Sequence, residues 1–356
     1  MTVDERLGYP VVVAEDVRSS VTEMLRRLGR PYVTLCDANP HVAALARDLS
    51  RGSRCAAVVR LQLGERAKSP RTLARVWEQL ARCGAGRDAV VLGVGGGVAA
   101  DVLGFAAATY LRGVSYLHVA TSLVAMADAA IGGKTGVNLR AGKNLAGAFA
   151  QPIAVYAHLR ALRTLPLRAL REGLAEVVKA AIIEGDAFFR ALERLASQPF
   201  SGWPWERVVS QAIGVKTRIV AQDFTERGPR EVLNLGHTFG HALERASEYR
   251  ITHGAGVALG LRAAGLLALR LGAFSEGEQA RLEAMLARLK MPTRTSLSPA
   301  SVLRAMQVDK KRRGGRLRFV LPRAIGDVEY GIEAPERDVL RVLRELHGAS
   351  LDVAQC

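Results

Sequence analysis

Three histidines and one glutamate stand out first, by type and by spacing. His237 and His241, in LNLGHTFGHALE, lie four residues apart, so a helix puts both imidazoles on one face, and His253 follows in THGAG. Glu176 precedes Lys179 by three residues in GLAEVVKA, an otherwise apolar stretch, which predicts a carboxylate and an ammonium buried side by side. Taken singly, a structural ion pair and a structural histidine pair are each ordinary explanations. The motif is not HExxH, because Thr238-Phe239-Gly240 separates the two imidazoles. Together, one acid and three imidazoles favour three protein ligands on a catalytic Zn²⁺, with positions left open for substrate oxygens. Two of the histidines suffice as ligands, and the third is then available for proton transfer.

A second constellation suits a phosphorylated, hydroxylated ligand. Asp128, Lys134, Asn138, Lys143 and Asn144 share one short stretch with Gly132, Gly133 and Gly142. A polar surface loop would have similar composition, but isolated ammonium groups and carboxamides suit phosphate and hydroxyls. Arg230 and Asn234, shortly before His237, extend this lining, and Lys310 and Lys311 add charge for a phosphate. Lysine is scarce, eight against 42 arginines, so the survivors mark places where a compact, rotatable ammonium does what a planar guanidinium cannot. Lys68, Lys134, Lys143, Lys179, Lys216, Lys310 and Lys311 lie in Gly-, Asn-, Asp- or Glu-marked clusters; Lys290 alone sits in a plain amphipathic stretch. Gly95-Gly96-Gly97 follows the run AVVLGV and opens VAADVLGFAAATY, where an anion would meet free backbone N–H groups. Val98 leaves GxGxxG incomplete, so a tight strand-to-helix turn is the plain alternative.

The elements that must position these groups follow from periodicity. YPVVVA, YVTLCD, CAAVVRLQL and AVVLGV alternate with helical patterns at 17–28, 40–49, 70–83 and 98–110, the mark of a parallel sheet with crossover helices. The Gly-rich stretch after SYLHVA reads as a loop and hairpin. From about Thr164 the pattern turns helical, interrupted near DFTERGPRE, ITHGAG and DKKRRGGRLRFVLPRAIGDV. The expected architecture is an α/β, Rossmann-like parallel domain over 1–163, then a mainly α-helical domain over 164–356, with the active site in the cleft between them. No apolar run reaches the ~20 residues of a spanning helix, the N-terminus has no signal pattern, and the expected location is the cytoplasm. Four cysteines without CxxC spacing read as reduced thiols. A net charge of +16 admits polyanion binding, but Arg is interleaved with Glu and Asp along helices and aromatics are only 5%, so a small acidic substrate is favoured over nucleic acid.

The segments GGGVAADVLGFAAATYLRG, TSLVAMADAAIGGKTGVNLRAGKNLAGAFAQP, LRTLPLRALREGLAEVVK, PREVLNLGHTFGHALE and DKKRRGGRLRFVLPRAIGDV resemble, in order and across nearly the full length, the 3-dehydroquinate synthase family of sugar phosphate cyclases. The resemblance implies a homodimer that uses NAD⁺ and Zn²⁺ or Co²⁺ to convert 3-deoxy-D-arabino-heptulosonate 7-phosphate to 3-dehydroquinate and phosphate. The chemistry it implies is transient oxidation, phosphate elimination, re-reduction and intramolecular aldol closure. It implies that Glu176, His237 and His253 are the metal ligands. It places Asp37, Glu65, Lys68, Gly95, Gly96, Gly97, Asp101, Thr121, Ser122 and Asp128, with Lys134 and Lys143 adjoining, at the dinucleotide. Lys134, Asn144, Lys179, Lys216, Arg230, Asn234, His241 and Lys310 or Lys311 fall where the family holds substrate, and Arg112 where a residue reaches the partner's phosphate pocket. Departures from the family pattern stand at Ala120, His158 and Phe224, and at Ala255, where a carboxylate is usual. Competing expectations are aminodehydroquinate synthase or another secondary-metabolic cyclase, and a metal-dependent polyol or glycerol-phosphate dehydrogenase, which would release NADH.

Overall fold

β-Branched runs flanked by amphipathic stretches settle into alternating strands and helices through His158. These are β1 (Thr2–Asp4), β2 (Val11–Ala14), α1 (Arg18–Leu28), β3 (Tyr32–Asp37), α2 (Pro40–Leu49), β4 (Cys55–Leu61), α3 (Pro70–Arg82), β5 (Val90–Gly95), α4 (Gly97–Thr109) and β6 (Ser115–Ala120). The hairpin β7 (Lys134–Leu139) and β8 (Gly142–Phe149) precedes β9 (Ala154–His158). The computed structural model describes residues 1–312 and 317–348, apart from the side chains of 308–312.

One sheet runs β1-β2-β9-β6-β5-β3-β4, parallel except for β1. Its inner strands β3, β5 and β6 are apolar on both faces because helices cover both, whereas edge strand β4 alternates half-buried and exposed residues. Helix starts are built locally: the Asn39 side chain accepts from His41 N and Val42 N, Ser69 accepts from Thr72 N, and Pro40 and Pro70 occupy the first helical positions.

The remainder is α5 (Leu167–Glu184), α6 (Asp186–Leu195), α7 (Trp205–Gln222), α8 (His237–Ala246), α9 (His253–Arg270), α10 (Glu276–Arg288), α11 (Pro299–Arg312), the hairpin β10 (Arg318–Ala324) and β11 (Asp327–Glu333), and α12 (Glu336–Leu346). Spatial proximity groups Met1–Pro166 with Pro204–Thr225 in one unit, and Leu167–Trp203 with the residues from Glu226 onward in the other. Helix α7 therefore belongs with the sheet, a grouping that a single break at 163/164 does not contain. It is tied there by Thr217 Oγ1 donating to Asp4 Oδ2 at 2.8 Å and by Arg6 donating to the Gly214 carbonyl at 2.9 Å. None of the described helices is long and apolar enough to cross a membrane.

Within the second unit, α8 and α9 touch backbone to backbone. A Cβ at Gly260 would stand 2.0 Å from the Gly236 carbonyl, and one at Gly240 would stand 2.9 Å from the Gly256 carbonyl. At the start of α9, a Cβ at Gly254 would come within 2.4 Å of the Glu172 backbone on α5. His253 opens α9, so ITHGAG marks a helix start as well as an interruption.

Candidate active site

Helix α5 presents Glu176 and Lys179 on one face, at 2% and 3% exposure. Burying two charges costs several kcal/mol each unless they are paired, and here Lys179 Nζ stands 2.6 Å from Glu176 Oε2. The other oxygen, Oε1, lies 2.9 Å from His253 Nε2 and 3.6 Å from His237 Nε2. With metal–ligand lengths near 2.05 Å, tetrahedral ligand atoms sit about 3.3 Å apart, which those two distances bracket. One donor atom from each of Glu176, His237 and His253 lies within 4.8 Å of the others. The donor set and spacing fit a divalent cation.

Both imidazoles are oriented for that task. His237 Nδ1 lies 3.2 Å from the Leu235 carbonyl, so it carries the proton and leaves Nε2 a lone pair. His253 Nδ1 lies 3.1 Å from Glu244 Oε1. Burial and the neighbouring Lys179 push the His237 imidazole down to about 3. Burial also opposes charge on His253, but hydrogen bonds to Glu176 and Glu244 raise it to about 10. The Glu176 carboxyl is penalised by burial yet held well below the usual carboxylate range by Lys179 and the two imidazoles. His241 is exposed, with its ring 5.2 Å from that of His237. Arg230, 1% exposed, and Asn234, which donates to Glu226 Oε1, occupy the turn just before α8.

In the first unit, the ends of adjacent parallel strands make a different kind of site. Cβ atoms at Gly95 and Gly96 would meet Ala99 Cβ at 2.5 Å and Ser122 Oγ at 3.0 Å, and the Gly95 position lies 3.7 Å from Asp37 Cβ. Asp37, Gly95–Gly97, Thr121 and Ser122 therefore share one corner, at the carboxyl ends of β3, β5 and β6, where open α/β sheets bind ligands. Glycine lets strand, turn and helix pack this closely, and the free backbone N–H groups at the start of α4 fit a pyrophosphate.

Beside it, Lys68 pairs with Asp101 on α4. Asn138 donates to Glu65 Oε1 at 3.0 Å, Lys143 Nζ stands 3.3 Å from the same atom, and Asn144 N donates to Asn138 Oδ1. Lys216 Nζ donates to Asp128 Oδ1 at 2.7 Å and to the Asp128 carbonyl at 2.6 Å, on a π-type turn of the kind that often marks function. Lys134 is exposed at the start of β7. Arg112 and its neighbour Leu111 both adopt positive φ on the surface, 68° and 50°, a strained turn for two non-glycine residues.

The expected substrate residues thus divide by unit: Lys134, Asn144, Lys216 and Arg112 in the first, Lys179, Arg230, Asn234 and His241 in the second. The side chains of Lys310 and Lys311 lie outside the described residues. Sequence reading missed Glu244, fully buried on α8, whose signal was an acid inside GHALE on the helix that carries two histidines. It also missed Glu172, whose carboxylate accepts from Thr252 Oγ1 and from Gly254 N at 2.6 Å and so caps α9. Among the departures, Phe224 packs on Phe149 at 5.6 Å, and His158 Nδ1 accepts from Val17 N at the start of α1.

A glycine-lined strand corner and a buried carboxylate–imidazole cluster define an anion- and metal-binding α/β protein. Residues 58–172 match the family profile described as 3-dehydroquinate synthase N-terminal, and residues 173–312 match 3-dehydroquinate synthase C-terminal. A 3-dehydroquinate synthase of Gloeobacter violaceus is 40% identical over 350 residues, 96% of this chain and 97% of that one. The 2-epi-5-epi-valiolone synthase of Streptomyces hygroscopicus, solved with NAD⁺ and Zn²⁺, superimposes with a TM-score of 0.88 at 27% identity, covering 95% and 96% of the two chains. A 2-deoxy-scyllo-inosose synthase solved with NAD⁺, Co²⁺ and carbaglucose-6-phosphate gives 0.83 at 25%, with 95% and 96% covered. The chain belongs to the 3-dehydroquinate synthase family.

Proposed function

We propose that this protein converts 3-deoxy-D-arabino-heptulosonate 7-phosphate to 3-dehydroquinate and inorganic phosphate in the cytoplasm, using NAD⁺ and Zn²⁺ or Co²⁺. The observation that carries the reading is the Glu176, His237 and His253 triad, whose donor atoms converge within 4.8 Å. When bound, NAD⁺ accepts and returns a hydride at a carbinol, and the divalent ion polarises the neighbouring oxygens.

The chain's own residues do the rest. Asp37, Glu65, Lys68, Gly95, Gly96, Gly97, Asp101, Thr121, Ser122 and Asp128, with Lys134 and Lys143 adjoining, hold the dinucleotide. Lys134, Asn144, Lys216, Arg230, Asn234 and Lys310 or Lys311 hold the substrate's carboxylate, hydroxyls and phosphate. Lys179 keeps positive charge against Glu176, and His241, exposed beside His237, moves a proton to or from a substrate hydroxyl. The departing phosphate accepts the proton of the acidified C–H, so the elimination needs no strong protein base. Arg112 serves the phosphate pocket of a second copy in a homodimer, a role supported by its exposed, strained turn. The two-domain division fits this sharing of tasks, dinucleotide in the α/β part and metal in the helical part.

The test offers the heptulosonate phosphate, its amino analogue and sedoheptulose 7-phosphate in parallel, following phosphate and cyclic product. The first is expected to be preferred, with trace NAD⁺ sufficient and no net NADH. Stoichiometric NADH would instead identify a dehydrogenase. Lys134→Ala is expected to lower turnover by about 10²-fold or more with bound metal unchanged. Wild-type turnover in that variant would show the substrate pocket to be misassigned.

A further inference from the structure

Glu244 is fully buried on α8. Taking an ionised carboxylate out of water costs several kcal/mol unless hydrogen bonds or charges compensate it, so its surroundings should show what holds it there. Seven residues after His237 and three after His241, it shares the face of α8 that carries both imidazoles. Glycine on α9 lets its side chain lie close against that helix: a Cβ at Gly256 would stand 3.1 Å from Glu244 Cγ. From there the carboxylate reaches His253 Nδ1 at 3.1 Å.

His253 therefore stands between carboxylates from two different helices, Glu176 Oε1 of α5 at 2.9 Å from Nε2 and Glu244 Oε1 of α8 at 3.1 Å from Nδ1. The two imidazoles of the triad are held differently. His237 has 11% of its side chain exposed, and its Nδ1 faces a neutral carbonyl, that of Leu235. His253 has 34% exposed, so packing constrains its ring less and its orientation rests on its hydrogen bonds.

We propose that Glu244 is a positioning residue for the metal centre: it accepts from His253 Nδ1–H, which fixes the ring and leaves the Nε2 lone pair aimed at an ion shared with Glu176 and His237. This rests on the ligand set proposed above and names the group that makes one of its members competent. Only the imidazole tautomer protonated at Nδ1 offers Nε2 to a cation. A carboxylate acceptor selects that tautomer and makes the ring a stronger donor than a neutral carbonyl would. It also supplies charge, since Lys179, 2.6 Å away, offsets Glu176 and a dication is better balanced with a second acid nearby.

The experiment strips the full chain of metal, reloads it with Co²⁺ and measures affinity by competition with a chromogenic chelator, with NAD⁺ binding as the check on folding. Glu244→Gln, which keeps the shape and removes the charge, is expected to weaken Co²⁺ binding about tenfold, and Glu244→Ala about a hundredfold. NAD⁺ binding is expected to stay at its wild-type level in both. In wild-type protein loaded with Zn²⁺, ¹⁵N spectra of labelled histidine are expected to show His253 protonated at Nδ1 and coordinated through Nε2. Unchanged Co²⁺ affinity in variants that bind NAD⁺ normally overturns the proposal, and so does a His253 protonated at Nε2. Two Co²⁺ per wild-type chain would also overturn it, because Glu244 would then be a ligand itself, with His241 and His253, whose donor atoms lie within 4.8 Å of its own. The ¹⁵N result needs no variant, so it decides the matter whether or not the substituted chains fold. Failure of the underlying ligand set reads differently: His237→Ala would then keep its metal, whatever Glu244 does.

Discussion

The strand corner of the first unit and the imidazole cluster of the second solve opposite problems. At the corner, Gly95 and Gly96 allow close packing against Ala99 and Ser122, and the groups offered to a ligand are backbone N–H groups at a helix start. At the cluster, side chains carry everything: Glu176, at 2% exposure, is balanced by Lys179, His237 and His253. A site made of close backbone packing fails when a side chain is forced into it. A site made of buried charge fails when one partner is removed, because the charge left behind is uncompensated.

The largest expected effect attacks the cluster. His237→Ala should drop bound metal below a tenth of wild type by elemental analysis and lower turnover by about 10³-fold or more. Retained metal would show that the ligand set is wrong. The matching attack on the corner is Gly95→Val, whose Cβ would press on Ala99. It should weaken NAD⁺ binding by about 10²-fold in a fluorescence titration while metal content stays normal, and coupled loss of both would erase the distinction drawn above.

Smaller effects sharpen the contrast inside the first unit, where Lys68→Met leaves Asp101 without its pair. Burial already raises that carboxyl against the pull of Lys68, so unfolding in urea should show a loss of about 3 kcal/mol. The smallest prediction concerns His118, packed under the same strand end with Nε2 3.3 Å from the Gly95 carbonyl. Burial pushes its imidazole down to about 4, against 6.5 when unfolded. Its contribution is therefore complete above pH 6.5 and lost as the pH falls through 4. Between pH 7.5 and 4.5 wild type should lose about 2–3 kcal/mol more than His118→Gln. Parallel losses in the two proteins would remove His118 as the cause.

How far these sites were readable in the sequence depended on the range of the interactions that build them. Gly95-Gly96-Gly97 was legible because strand, turn and helix start are contiguous and obey local rules. Glu176 with Lys179, and His237 with His241, were legible because helical spacing alone puts them on one face. Glu244 and Glu172 were not, since an acid in a helix becomes a hydrogen-bond partner of His253 or a cap for α9 only when another helix arrives. The return of α7 to the sheet unit was equally hidden, because an amphipathic helix does not say which apolar surface it will cover.

The amino-acid sequence by itself determined which groups exist and which near neighbours share a face: the alternating strands and helices, the glycine triplet, the paired charges on α5 and the two imidazoles on α8. Only the tertiary structure brought His253 to Glu176, 77 residues away in sequence. It did so by letting α8 and α9 approach through Gly236, Gly240 and Gly260, where a Cβ would collide with the facing backbone. Periodicity encodes a direction from a helix axis but not a distance between axes, and the geometry of a metal site is a matter of that distance.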